Sequence, residues 1–251
     1  MILVVADATF REAVRSKAFL GLLVLFAICT ALSRVVGWVS STDGNVVTTD
    51  LVLSLQAVIG VLVAVATGTA LVQAEITNKT LYTVICRPLA RWQFVVGKFV
   101  GLAASLAVGQ IAMLAIALAY LAGTGADVHG WLVLAGLMTL VEVLLMAAVS
   151  LCLTALTSPL LSAALCLTTW AAGHAVASLP SLIHHLQGWK LMTAASLASV
   201  VPNLGMFTYR NEAVYRVPLE WSALALRLGY GAAWICLLVA ITVIVFRRKQ
   251  L

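Results

Sequence analysis

Six long apolar stretches dominate the sequence and are separated by shorter segments with polar and charged residues. They cover residues 18–39, 51–73, 97–121, 130–156, 160–183 and 221–246. A helix needs about 20 mostly apolar residues to cross the hydrocarbon core of a bilayer. Each stretch has that length, so the pattern predicts an all-α membrane protein with six transmembrane helices in a single domain, residues 1–251.

Three further segments are too distinctive to be simple turns. Residues 1–17 mix apolar with charged side chains, which favours a helix that lies in the membrane interface. Residues 73–98 are long and charged, and residues 183–220 contain an apolar run, 191–201, that ends at Pro202. Because about eleven residues cannot cross the bilayer, this run is predicted to dip into the membrane or lie on its surface.

Basic residues predict the orientation of the chain. With the amino terminus inside, more Lys and Arg residues fall in cytoplasmic than in outer segments, and the positive-inside rule then places both termini in the cytoplasm. The cytoplasmic set is Arg11, Arg15, Lys17, Lys79, Arg87, Arg91, Lys98, Arg247, Arg248 and Lys249, and the outer set is Arg34, Lys190, Arg210, Arg216 and Arg227.

Composition excludes several other classes of protein. Hydrophobic residues make up 63% and charged residues 10% of the chain, whereas soluble domains average about 45–50% and about 25%. The net charge of +6 comes from basic residues that flank apolar runs, which argues against nucleic-acid binding. The five cysteines form no C-x-x-C pair, so neither a disulfide framework nor a cysteine metal site is predicted.

The sequence lacks the motifs of common membrane enzymes. Neither H-E-x-x-H nor G-x-S-x-G occurs. Gly97 and Lys98 are followed by Phe99, where a phosphate-binding loop needs Ser or Thr. His184 and His185 are adjacent, point to different helix faces and have no carboxylate nearby, which argues against a metal site. We therefore predict neither catalysis nor a bound metal in this chain.

Small residues recur at every fourth position in the second and third spans. The two series are Gly60, Ala64 and Gly68, and Gly97, Gly101, Ser105 and Gly109. Each series forms a ribbon on one helix face, and such ribbons let membrane helices approach closely. We interpret them as packing surfaces within the chain, with a dimer seam as the alternative.

Ionisable residues inside spans are costly and are therefore candidate functional residues. Glu142 lies sixteen residues before Ser158, in the short turn between the fourth and fifth spans, and His174 lies sixteen residues after it. At about 1.5 Å per residue both lie about 24 Å from that turn, and Arg34 of the first span reaches a similar height. These residues form either a polar element of a translocation path or a buried Glu–His or Glu–Arg bridge. Arg34 alternatively extends to the outer surface.

The cytoplasmic segment carries an ordered set of residue types. An acidic residue ends the second span, a Thr-Leu pair opens a short helix, and an Arg-Pro turn with a second Arg leads to Gly-Lys at the third span. These residues are Glu75, Thr80, Leu81, Arg87, Pro88, Arg91, Gly97 and Lys98. Their order and spacing resemble the signature of the ATP-binding-cassette (ABC) type-2 permeases. Asn78 departs from it, since glycine is frequent there.

Two more segments are similar to this family. Residues 9–17 resemble its N-terminal interfacial segment. Residues 202–218 resemble the outer loop of a subgroup associated with multicopper-enzyme maturation permeases. Together with the six spans, the resemblance covers nearly the whole chain.

The resemblance implies a fold like that of type V ABC exporters, with a coupling helix between spans two and three and re-entrant or interfacial helices between spans five and six. It also implies a subunit of an exporter in the inner (cytoplasmic) membrane, built from two copies of this chain and two separate ABC ATPase subunits, with room for an accessory outer protein. ATP and Mg would bind to the ATPase, so no cofactor is expected here. The residues that it assigns to ATPase coupling are Glu75, Asn78, Lys79, Thr80, Leu81, Arg87, Pro88 and Arg91.

Two alternatives stay open on the residues alone. The first alternative to ATPase coupling is that the loop with Arg87 and Arg91 is a positive-inside anchor that binds anionic lipid headgroups. An ion-driven secondary transporter or channel would use Glu142 and His174 as its proton site, although the inverted repeats of such proteins are not detected.

Overall fold

A computed structural model of the chain describes residues 2–39, 44–78, 91–182, 201–215 and 221–248, the side chains of 72–78, 91, 179–182 and 247–248 excepted. Within these ranges the fold is all helical, as predicted. The α-helices are α1 (Ile2–Val14), α2 (Lys17–Val39), α3 (Gly44–Asn78), α4 (Arg91–Gly123), α5 (Gly130–Leu156), α6 (Pro159–Leu182), α7 (Arg210–Tyr215) and α8 (Trp221–Arg248). Six of them, α2 to α6 and α8, are long and apolar enough to cross a membrane, which confirms the predicted spans.

The six long helices run up and down in one bundle. We call one end of the bundle, with α1 and the turn between α5 and α6, the α1 end, and the other, with the turn between α4 and α5, the far end. Helices α3 and α5 are central, because 61% of the most apolar 18-residue stretch of each is buried. The corresponding value for α8 is 11%, so α8 leaves most of its apolar surface on the outside of the bundle.

Two tight turns reverse the chain with residues suited to each. Gly125 follows α4 with a φ of +75°, a left-handed conformation that glycine adopts without a steric penalty. The amides of Gly125 and Ala126 bond back to the carbonyls of Ala122 and Leu121, which closes a Schellman motif. At the other end of α5, Pro159 is the first residue of α6, where its missing N–H costs no helical hydrogen bond.

The small-residue ribbons pack inside the chain, as predicted. A Cβ on Gly60 would lie 2.9 Å from Gln110 of α4 and from Val143 of α5, and one on Gly68 would collide with Ser150 of α5. The third-span ribbon packs against other partners. A Cβ on Gly109 would lie 2.9 Å from the ring of Phe19 in α2.

Helix α1 lies on the α1 end of α4. A Cβ on Gly97 would lie 3.0 Å from the carbonyl oxygen of Ile2, and one on Gly101 would lie closer still to Ala6 and Thr9. The face of α1 that carries Ala6 and Thr9 is buried, while charged residues lie on its exposed side. The predicted amphipathic helix is therefore present, and its buried face contacts protein. Its position in the membrane interface stays a prediction.

Helices α3 and α4 extend further than the apolar pattern indicates. The second and third spans were predicted to end at residue 73 and to begin at residue 97, whereas α3 continues to Asn78 and α4 begins at Arg91. Polar residues do not end a helix, because its backbone hydrogen bonds form within the helix itself. The predicted coupling helix lies within 79–90, outside the described residues.

Part of the long segment between the fifth and sixth spans folds onto the far end of the bundle. A 3-10 turn at Leu204–Phe207 precedes α7. The side chains of Leu204 and Phe207 are fully buried. The backbone amide of Asn203 donates to the hydroxyl of Tyr230 in α8 at 2.9 Å, which ties the segment to the last span. The predicted apolar dip, 191–201, lies outside the described residues except for its last residue.

Candidate functional site

The short turn at Ser158 places α5 and α6 side by side, and Glu142 and His174 meet as their spacing predicts. Glu142 Oε1 and His174 Nε2 are 2.9 Å apart. The Glu142 side chain is only 2% exposed, while that of His174 is 35% exposed. The pair is thus a buried carboxylate whose histidine partner reaches the surface of the single chain.

Trp170 is a second donor to the same oxygen, and sequence reasoning did not identify it. Its Nε1 donates to Glu142 Oε1 at 2.8 Å. Trp170 and His174 are one helical turn apart in α6, and their rings are in edge-to-face contact with centroids 5.2 Å apart. The i, i+4 spacing was the available signal, because residues with this spacing share a helix face.

Both hydrogen bonds to Glu142 end on Oε1. Among the residues that the structure describes, Oε2 therefore has no hydrogen-bond donor. A carboxylate offers about four acceptor sites on its two oxygens, so the described donors hold one oxygen in position and none of them occupies the other.

Glu142 lines a cavity of about 280 Å³ between α3, α5, α6 and the segment that precedes α7. Part of its wall is apolar and part carries hydroxyl, imidazole and guanidinium groups. The lining residues are Leu53, Ser54, Ala57, Val58, Ala135, Thr139, Glu142, Trp170, Ala171, His174, Thr208, Tyr209 and Arg210.

Arg210, the first residue of α7, holds its segment against α3. Its Nε lies 2.8 Å from Asp50 Oδ1, and its guanidinium also donates to Ser54 Oγ. The basic residue was visible in the sequence, but its partner, 160 positions earlier, gave no local signal. Arg210 thereby closes one side of the cavity while its own charge is paired.

Tyr209 precedes Arg210 and is 4% exposed. Burial raises the pKa of its phenol above the usual value, an effect that the neighbouring Arg227 guanidinium partly offsets. That guanidinium lies 4.6 Å from the centre of the Tyr209 ring. Arg227 also donates to the carbonyl of Met206 at 3.3 Å, so this one side chain of α8 contacts the segment at two points.

Arg34 does not contact Glu142, so the Glu–Arg bridge, one of the alternatives considered, is not formed. Its guanidinium donates to Asn45 Oδ1 at 3.1 Å and to the carbonyl oxygen of Thr124 at 3.3 Å, both at the far end. The flexible side chain extends past the end of its span to polar groups. The alternative in which Arg34 reaches the surface is the one that the structure supports.

The residues assigned to ATPase coupling are mostly outside the described ranges. Glu75 and Asn78 belong to the last two turns of α3, and Arg91 is the first residue of α4, but only their backbone is described. Lys79, Thr80, Leu81, Arg87 and Pro88 fall in 79–90. Their role stays a prediction.

No group of three or more His, Cys, Asp or Glu residues within the described ranges is placed to hold a metal ion. His184 and His185 lie outside those ranges.

Residues 3–251 match the model of a protein family described as ABC-2 family transporter protein. A comparison with individually curated proteins finds no match. The family match agrees with the resemblance of the cytoplasmic segment and does not test the resemblance to the multicopper-maturation subgroup. Because the match covers nearly the whole chain and all six candidate spans, this multi-pass membrane protein belongs to the ABC-2 transporter family.

Proposed function

We propose that the chain is the permease subunit of an ABC exporter and couples ATP hydrolysis by a separate ATPase to movement of cargo out of the cytoplasm. The family match over residues 3–251 carries this proposal. Family members are membrane subunits, so nucleotide binding belongs to the partner.

The packing at the α1 end supports a coupling role for the loop between α3 and α4. Lys98 is buried, and its Nζ donates to the carbonyl oxygen of Leu71 at 2.9 Å, which joins the two helices that flank the loop. Gly97 and Gly101 hold α1 against α4. A force on the loop would therefore move α1, α3 and α4 together, as in rigid-body transmission between domains.

Charge reversal in the loop tests this role. Arg87→Glu with Arg91→Glu should abolish co-purification of the partner ATPase without affecting membrane insertion, because like charges across a docking surface cost several kcal/mol. The matched control, Arg247→Glu with Arg248→Glu, removes the same charge from the end of α8 and should retain the ATPase. If the loop only anchors lipid, the loop variant will retain the ATPase and lose sensitivity to anionic lipid.

The proposed assembly contains two copies of this chain and two ATPase subunits in the inner membrane, with both termini cytoplasmic. ATPases of this class form two composite nucleotide sites as dimers, and one chain of six spans is half of such a transporter. Native mass measurement in mild detergent should give the 2:2 complex. The permease alone should show no ATP turnover above a vesicle blank. A 1:1 complex that transports, or turnover by the lone chain, would contradict the assembly.

A second candidate function is ion-driven transport, which the buried contact of Glu142 and His174 favours. Such pairs in membrane spans can relay protons. Vesicles that hold only this chain would then take up or release protons in response to a membrane potential. Vesicles with the Glu142→Gln variant provide the control.

A further inference from the structure

We propose that the cavity beside Glu142 binds a small organic ammonium ion, with the ammonium group on Glu142 Oε2 and the carbon skeleton along the apolar wall. An organic ammonium ion would be a class of cargo for the proposed permease. Only its role as cargo rests on the proposed function. Binding itself would be a property of this chain alone.

The first support is the carboxylate. Trp170 Nε1 and His174 Nε2 fix Oε1 from one side, so the direction of the other oxygen is set before a ligand arrives. An ammonium group donates up to three hydrogen bonds and carries the charge that a buried carboxylate requires. Holding an acceptor in position in advance lowers the entropy cost of binding.

The second support is the charge of the wall. Among the described residues of the lining, Arg210 is the other strongly charged one, and its Nε lies 2.8 Å from Asp50 while its guanidinium donates to Ser54. Its charge is thus matched by a carboxylate outside the cavity lining. An anionic ligand would be repelled by Glu142 and would find the charge of Arg210 already paired with Asp50, whereas a cation would be attracted to the Glu142 carboxylate.

The third support is the size and chemistry of the remaining wall. A volume of about 280 Å³ is just below the usual range of small-molecule sites, about 300–1,000 Å³, and is too small to enclose a whole lipid or a peptide. Leu53, Ala57, Val58 and Ala171 offer apolar contact. The indole of Trp170 adds an aromatic surface, which suits the carbon atoms next to a cationic nitrogen.

A charge series of one shape tests the proposal. The probes are 4-phenylbutylammonium, the neutral 4-phenylbutanol and the anionic 4-phenylbutyrate. Each is titrated against the purified full chain in nanodiscs of zwitterionic lipid, with protein-free nanodiscs to subtract partition into the membrane. We expect the ammonium probe to bind at least about tenfold more tightly than the other two, because it alone can form a charge-assisted hydrogen bond with the carboxylate.

Two variants localise the binding. Glu142→Gln should weaken the ammonium probe by about tenfold or more and leave 4-phenylbutanol unchanged. If that variant does not fold, Ala57→Leu, which fills part of the cavity without touching a charge, should weaken the ammonium probe instead. Three results would overturn the site. They are equal affinity for the three probes, no binding of the ammonium probe up to millimolar concentration, and wild-type affinity for that probe in every variant that folds. Because no ATPase is present, these outcomes are independent of the coupling test.

Discussion

Replacing Gly101 by alanine tests the contact of α1 with α4. A Cβ at this position would lie 2.7 Å from Thr9 Cβ and closer still to the carbonyl oxygen of Ala6. Carbon atoms in contact normally lie about 3.5–4.0 Å apart. The obstructing atoms are on or next to the α1 backbone, so a flexible side chain cannot yield and α1 must shift by about 1 Å.

The size of the effect follows from two opposing terms. Overpacking of this kind costs about 1–3 kcal/mol, while alanine favours a helix over glycine by up to about 1 kcal/mol. Gly21→Ala in α2 isolates the second term, because no neighbouring atom lies within 4 Å of a Cβ there. Relative to Gly21→Ala, Gly101→Ala should therefore lose about 1–3 kcal/mol of stability, or roughly 2–12 °C in melting temperature.

The assay is thermal unfolding of wild type, Gly21→Ala, Gly101→Ala and Gly101→Val, each purified in the same detergent. Gly101→Val should melt below Gly101→Ala, because the larger side chain displaces α1 further. Equal melting temperatures for Gly101→Ala and Gly21→Ala would refute the close contact between α1 and α4.

Two further predictions concern the far half of the bundle. Glu142→Gln should lower stability by about 1–3 kcal/mol, because Trp170 and His174 lose a charged acceptor, and thermal unfolding at neutral pH measures the loss. The raised pKa of Tyr209 means that the folded state favours the protonated phenol. The contribution of Tyr209 to the stability of the fold is then complete below the ordinary tyrosine pKa of about 10 and is lost as the pH rises through the pKa of the folded state. Between neutral and alkaline pH, wild type should therefore lose more stability than Tyr209→Phe, as thermal unfolding at each pH would measure. Identical curves of melting temperature against pH would contradict the burial of the phenol.

The spans were predictable because each one alone must satisfy the length of the bilayer, a local property of the sequence. The ends of α3 and α4 were not, since polar residues outside the hydrocarbon core continue a helix as well as apolar ones. The sequence also did not predict which helix α1 packs against. Amphipathicity indicates a buried face, but the pairing of Ala6 with Gly101 depends on two segments far apart in the chain.

The sequence predicted the height of the candidate site along the bundle, but it did not identify all of the residues that form it. Counting residues from the turn at Ser158 placed Glu142 level with His174, because a short turn fixes the register of two antiparallel helices. Counting from the start of α2 failed for Arg34, whose long side chain moves its charge away from the height of its backbone. Arg210 came from a segment whose fold is set by distant contacts, which no local pattern reports.

The contact between α1 and α4 also has a consequence for biogenesis. The glycines that receive α1 are encoded roughly 90 residues after it, and at about 5–20 residues per second the ribosome needs several seconds to reach them. During that interval the first two spans are made while α1 still lacks α4, the helix with which it makes most of its contacts. The amino-terminal helix therefore completes its tertiary contacts only after the third span emerges, and a chain truncated before Gly97 should expose α1 to proteolysis.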